Sequence, residues 1–96
     1  MDLQLRCKVF PGQFSDEFAV SAEQADGSRF SLFTPVRLVD PDEPPTRDRS
    51  VNGWLKVSLY ERGSNRAVVR LPRESFESGR FVTARPDQFR TWPAET

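Results

Sequence analysis

Apolar residues fall on alternate positions along most of this chain. Leu3, Leu5, Cys7 and Val9 alternate with Asp2, Gln4, Arg6 and Lys8, the period of a strand with one buried face. Cys7 then points inward as a small core residue, in an apolar setting that disfavours the reactive thiolate. Pro11-Gly12 punctuates the strand end. A second alternation, Phe18, Val20 and Ala22, leads through Ala25-Asp26-Gly27 into a third, Phe30, Leu32, Thr34, Val36 and Leu38. For Ala22 and Phe30 to share a face of an antiparallel pair, the turn must hold an odd number of residues. Ala25-Asp26-Gly27 supplies three, with the glycine where a left-handed backbone is needed. Pro35 donates no ladder bond, which places the third run at a sheet edge or at a bulge.

Val51, Leu55, Val57 and Leu59 form a fourth alternation and Ala67, Val69 and Leu71 a fifth, joined across Arg62-Gly63-Ser64-Asn65. The same parity argument favours a three-residue turn, Arg62-Gly63-Ser64. The other odd turn, Gly63-Ser64-Asn65, would set Arg62 opposite Arg66 and oppose like charges. Pro72 to Gly79 begins with proline and ends with glycine, the asymmetry of a short helical turn near residues 72–78. Gly79 to Arg85 is a sixth extended run, stopped by Pro86. Between the third and fourth runs, residues 41–50 carry three prolines, five charges and no apolar side chain, the composition of a solvated, mobile loop. Six short strands with turn signals between them predict an all-β fold, a small antiparallel barrel or sandwich. It forms one domain over residues 1–90, with residues 91–96 as a C-terminal tail.

Composition narrows the chemistry. The 96 residues are 36% hydrophobic and hold one cysteine and no histidine. The commonest general base, the Ser-His nucleophile and every His-ligated metal site are therefore missing. Asp40, Asp42, Glu43 and Asp48 cluster in the hydrated loop, where carboxylates stay ordinary acids, and the segment lacks a calcium-loop pattern. The expectation is a protein that is not an enzyme and uses neither metal nor cofactor. No stretch approaches the about 20 apolar residues of a membrane-spanning helix, and the N-terminus lacks the apolar run of a signal peptide. With no second cysteine for a disulfide, a cytoplasmic protein without membrane contact is expected.

Fourteen basic residues balance fourteen acidic ones, yet the balance is uneven along the chain. Residues 1–48 hold five basic against nine acidic side chains, a net −4, and residues 49–96 hold nine against five, a net +4. With Leu55, Val57 and Leu59 given to the core, Trp54, Lys56 and Tyr60 stand on the opposite face, and Arg66 and Arg70 share that face of the next strand. In the favoured register Tyr60 lies opposite Arg66 and Lys56 opposite Arg70. Together with Arg62 these residues interleave aromatic rings with cations, as a platform for single-stranded nucleic acid does. The platform fails if the short helix around Phe76, or the tail at Trp92, covers the rings. An acidic protein is the other anionic partner that such a face fits. Complementary acidic and basic halves also suit a protein–protein or self-association module, including a homodimer.

Asp48-Arg49-Ser50-Val51-Asn52-Gly53 has the spacing D-x-S-x-x-G. It resembles one half of the signature of PilZ domains, small β-barrels that bind cyclic di-GMP. The resemblance implies a six-stranded barrel and a cyclic-dinucleotide site that includes Ser50 and Arg66. The other half of that signature, R-x-x-x-R, belongs upstream; here Arg62-x-x-x-Arg66 and Arg66-x-x-x-Arg70 lie downstream. Val69-Arg70-Leu71-Pro72-Arg73-Glu74, followed by Gly79-Arg80-Phe81-Val82, is also similar to the swapped-hairpin antitoxin and transition-state regulators. Their helix is longer than the space available, and no residue role is carried over.

Overall fold

The computed structural model describes residues 2–91. Eight antiparallel strands make up one sheet: β1 (Asp2–Pro11), β2 (Glu17–Glu23), β3 (Arg29–Pro35), β4 (Val39–Pro41), β5 (Val51–Arg62), β6 (Ala67–Ser75), β7 (Gly79–Ala84) and β8 (Phe89–Thr91). The main path runs β3-β2-β1-β5-β6-β7, with β4 added beside β5 and β8 beside β1. The sheet curls into a half-barrel around one core, and every alternation read from the sequence supplies an inward face. Leu3, Leu5, Cys7 and Val9 meet Val20, Phe30, Leu32, Leu55, Val57, Val69, Leu71 and Val82 there, all buried. Burial pushes the Cys7 thiol up to about 12, well above its ordinary 9.0.

The β2–β3 hairpin follows the parity rule. Ala22 pairs with Phe30, the Gln24 N–H donates to the Ser28 carbonyl at 2.7 Å, and Ala25-Asp26-Gly27 close the turn with Gly27 at φ +87°. Asp26 accepts from the Ser28 N–H and hydroxyl, which holds its carboxyl below the ordinary 3.8. β3 lies at the end of the strand path, and Pro35 is its last residue. The third run ends there: residues 36–38 form a 3-10 turn, so Val36 and Leu38 are only half-buried.

Three expectations change. First, residues 72–78 are not helical. β6 runs through Pro72 to Ser75, and residues 76–78 form a turn closed by the Ser75 hydroxyl, which donates to the Gly79 carbonyl and accepts from the Ser78 N–H. Because Pro72 offers no N–H, the β6–β7 register breaks between Arg70 and Ser75. Arg80 bridges the break, donating to the Leu71 and Pro72 carbonyls at 3.0 and 3.1 Å.

Second, the β5–β6 register differs. Ser58 pairs with Arg70 and Leu59 with Val69, but Arg62 pairs with Ala67, with a bulge at Tyr60 between them. The extra residue lets a turn of even length keep both apolar faces inward, which a parity count over regular strands excludes. Tyr60 therefore does not face Arg66, nor Lys56 Arg70. Third, the loop over residues 41–50 is partly structured. β4 ends at Pro41, the Asp42 N–H donates to the Asn52 carbonyl, and Thr46 and Arg49 exchange both backbone bonds. Of the predicted tail, only Thr91 falls among the described residues, where it closes β8. Trp92 lies outside them.

The half-barrel's open seam runs between β3 and the β6–β7 turn. A side chain and one backbone bond bridge it where no ladder forms: Glu77 accepts from both the N–H and the hydroxyl of Ser31 at 2.7 Å, and the Phe76 N–H donates to the Ser31 carbonyl. Those bonds hold the Glu77 carboxyl below its ordinary 4.5.

Candidate nucleic-acid interface

The predicted site residues fall into two groups on the outer face. Trp54 is half-buried and already covered by cations: the Arg90 guanidinium lies 4.0 Å from its ring centroid and that of Arg6 lies 4.9 Å away. Sheet pairing brings them together, since Trp54 sits between Arg6 on β1 and Asp40 on β4, and Arg90 on β8 faces the neighbouring Gln4. Each guanidinium is anchored in turn. Arg6 pairs with Asp42 at 3.0 Å; Arg90 donates to the buried Gln4 Oε1 at 2.6 Å and lies 3.8 Å from Asp40. Lys56, on the same stretch of β5, pairs with Asp2 at 3.5 Å. Trp54 is thus held within a cation–π stack, and its covered ring does not serve as an open stacking platform.

Tyr60 lies beyond, on the bulge, with 68% of its surface exposed. Its ring meets that of Phe81 edge-on, with centroids 4.8 Å apart, and Phe81 is itself exposed. Arg70 sits between Ser58 and Phe81 in the sheet, so a cation directly adjoins the ring pair. Arg62 and Arg66 occupy the hairpin end, where the charge of Arg66 also acts on Asp26. None of Arg62, Arg66 and Arg70 forms an ion pair with another described residue. Of the six predicted residues, the structure joins Tyr60 and Arg70 closely, sets Arg62 and Arg66 at the adjoining hairpin end, places Trp54 under the Arg6 and Arg90 guanidiniums, and pairs Lys56 with Asp2. Phe81 is a member that the aromatic and cationic alternation of the 54–70 hairpin does not contain. Its sequence signal is parity: with Val82 and Ala84 facing inward, Phe81 faces outward.

The PilZ-like hexapeptide has its own structural account. A Cβ on Gly53 would lie 2.7 Å from Val9 Cγ2, 2.9 Å from Pro41 Cα and 3.0 Å from the Asp40 carbonyl oxygen, so close packing of β1, β4 and β5 requires glycine. Ser50 precedes β5, whereas Arg62 ends it, about 40 Å away along the strand. Ser50 thus lies at the opposite end of β5 from Arg62, and Arg70 pairs midway along it at Ser58.

Two cavities open where a long strand changes partner. Along one flank, β1 pairs with β8 through residues 3–5 and with β2 through residues 8–11; a cavity of about 300 Å³ lies at the gap, beside Arg6 and Cys7. Three of its four cations are already held by carboxylates: Arg6 by Asp42, Arg29 by Glu23 and Arg85 by Asp87. β5 likewise passes from β4 at residue 55 to β6 at residue 58, and a cavity of about 240 Å³ opens beside Lys56 and Val57. Among the described residues no group of three or more Cys, Asp or Glu side chains is placed to hold a metal ion, and no helix is long and apolar enough to cross a membrane. The chain matches no protein-family description, no curated protein and no solved structure.

Proposed function

We propose that this chain is a non-enzymatic cytoplasmic binding module whose Tyr60–Phe81 pair stacks the bases of single-stranded nucleic acid, with Arg70, Arg62 and Arg66 following the phosphates. The observation that carries this reading is the exposed ring pair with Arg70 as its immediate cross-strand neighbour. Aromatic stacking contributes about 1–3 kcal/mol per base and tolerates any sequence, so modest and sequence-tolerant affinity follows. Fluorescence anisotropy with a labelled dT10 at two salt concentrations tests it. Three phosphate contacts give a log–log salt slope of about −2. Tyr60→Ala and Phe81→Ala should each weaken binding about tenfold. Absence of a salt-dependent signal at tens of micromolar refutes the reading.

A second reading, self-association, has its own support in the row Phe10–Ala19–Phe33 across the outer face of β1–β3, extended by Phe76 packed edge-on against Phe33 at 5.8 Å. Complementary halves supply less of that drive than the charge distribution suggests. Three of the six ion pairs among described residues, Glu43–Arg49, Asp2–Lys56 and Asp40–Arg90, already join the acidic half to the basic half within one chain. A monomeric mass by sedimentation up to about 100 μM, well above the micromolar affinity of a weak specific dimer, removes this reading.

A further inference from the structure

We infer that the cavity beside β5 is a receptor for a terminal phosphate, so that the module holds the phosphorylated end of a nucleic-acid strand rather than its interior. The inference rests on the base-stacking reading of Tyr60 and Phe81. Lys56, Arg70 and Arg80 line the cavity against one carboxylate, Asp2, leaving a net charge of +2 around about 240 Å³. A phosphomonoester carries about −1.5 to −2 at neutral pH, whereas an internal diester carries only about −1, so the lining matches the charge of a strand end. The cavity also differs from the one beside β1 in how its cations are engaged. There three arginines are neutralised by carboxylates; here only Lys56 has such a partner, Asp2 at 3.5 Å. Arg80 directs Nε and Nη2 at the Leu71 and Pro72 carbonyls, which fixes the guanidinium plane and leaves Nη1 without a hydrogen bond to another described residue. An arginine held in place by backbone carbonyls presents its remaining donors at little further entropic cost.

Position links the cavity to the rings. Ser58 and Arg70 line the cavity; Tyr60 follows Ser58 by two residues on β5, about 7 Å along the strand, and Phe81 is the direct partner of Arg70. One nucleotide therefore spans both features, its phosphate in the cavity and its base against the ring pair. The opening exists because β5 has no strand partner on that flank between Leu55 and Ser58, which keeps the sheet from filling the space.

The test compares dT10 carrying a 5′-phosphate, a 3′-phosphate or only hydroxyl ends, each with an internal fluorophore, at about 0.15 M salt, where exposed charges are well screened. One phosphorylated form should bind about tenfold more tightly than the hydroxyl form, the gain expected from charge-assisted hydrogen bonds. Lys56→Gln and Arg80→Gln should each remove that increment while the hydroxyl form binds unchanged, with thermal melts confirming that both variants fold. Inorganic phosphate should compete away the increment only. Equal affinity for all three oligonucleotides overturns the phosphate receptor and leaves the stacking reading standing. Tight binding of a phosphorylated form that survives Tyr60→Ala overturns the stacking reading instead, and binding by none of the three overturns both.

Discussion

Gly53→Ala offers the sharpest test of the packing described above, because the usual effect of this substitution in a strand has the opposite sign. Alanine in a strand interior is favoured over glycine by about 0.5–1 kcal/mol through backbone entropy alone. Here the new methyl meets a side-chain atom at 2.7 Å and two backbone atoms of β4 at 2.9 and 3.0 Å. Two responses are open. If the strands hold, overpacking costs about 1–3 kcal/mol. If β4 peels away, its pairing at residues 39–41 is lost at about 1 kcal/mol per hydrogen bond, and the buried Val39 is exposed at about 1.5 kcal/mol more. The two routes bracket a loss of about 1–3 kcal/mol, or about 5–20 °C in Tm for a domain of this size. Thermal and urea unfolding followed by circular dichroism measure it. In a Val9→Ala background the penalty should shrink without vanishing, because the Pro41 and Asp40 contacts remain. An unchanged or raised Tm for the single variant would refute the account of Gly53.

Further outcomes follow from other sites. Cys7 should resist thiol reagents in the folded protein at pH 8. Because its pKa rises from 9.0 to about 12 on folding, its contribution is complete below pH 9 and is lost by about 1.4 kcal/mol per pH unit from there up to 12; Cys7→Ala should flatten that part of the stability profile. The lowered pKa of Glu77 stabilises the fold above the ordinary 4.5 and is lost as pH falls below it, so Glu77→Gln should make acid unfolding less steep while lowering Tm at pH 7. Arg90→Ala uncovers Trp54 and leaves the buried Gln4 Oε1 without its donor. It should destabilise the fold by about 1–3 kcal/mol and raise acrylamide quenching of Trp54, measured in a Trp92→Phe background.

The strands that the sequence reveals are those long enough to repeat a period of two: β1, β2, β3, β5, β6 and β7 each bury at least two residues on one side. β4 and β8 are three residues each, too short to show a period, and they exist because β5 and β1 leave flanks to be paired. Pro72 misled in the other direction. Its helix-starting preference is local, while the strand continues because Arg80 donates to the Leu71 and Pro72 carbonyls that the register break leaves without a ladder partner. Tyr60 and Arg70 are legible as outward cations and rings, but the bulge that moves their register is not. The covering of Trp54 is illegible for a different reason. Arg6 lies 48 residues before it and Arg90 lies 36 after it, and only the pairing of β1, β5 and β8 brings them together.

That pairing also shapes how the chain reaches its fold. β1 is synthesised before the other strands of the sheet, yet its central partner β5 lies 42 to 56 residues downstream, from Val9↔Val51 to Asp2↔Ser58. At about 5–20 residues per second, β1 waits roughly 2–11 s with only β2 beside it. Its other edge stays unpaired over that interval, and the flanking Arg6 and Lys8 guard that edge against a neighbouring chain. High contact order of this kind places folding in the millisecond-to-second range. Once β1 has met β5, β4 and β8 have flanks on which to dock.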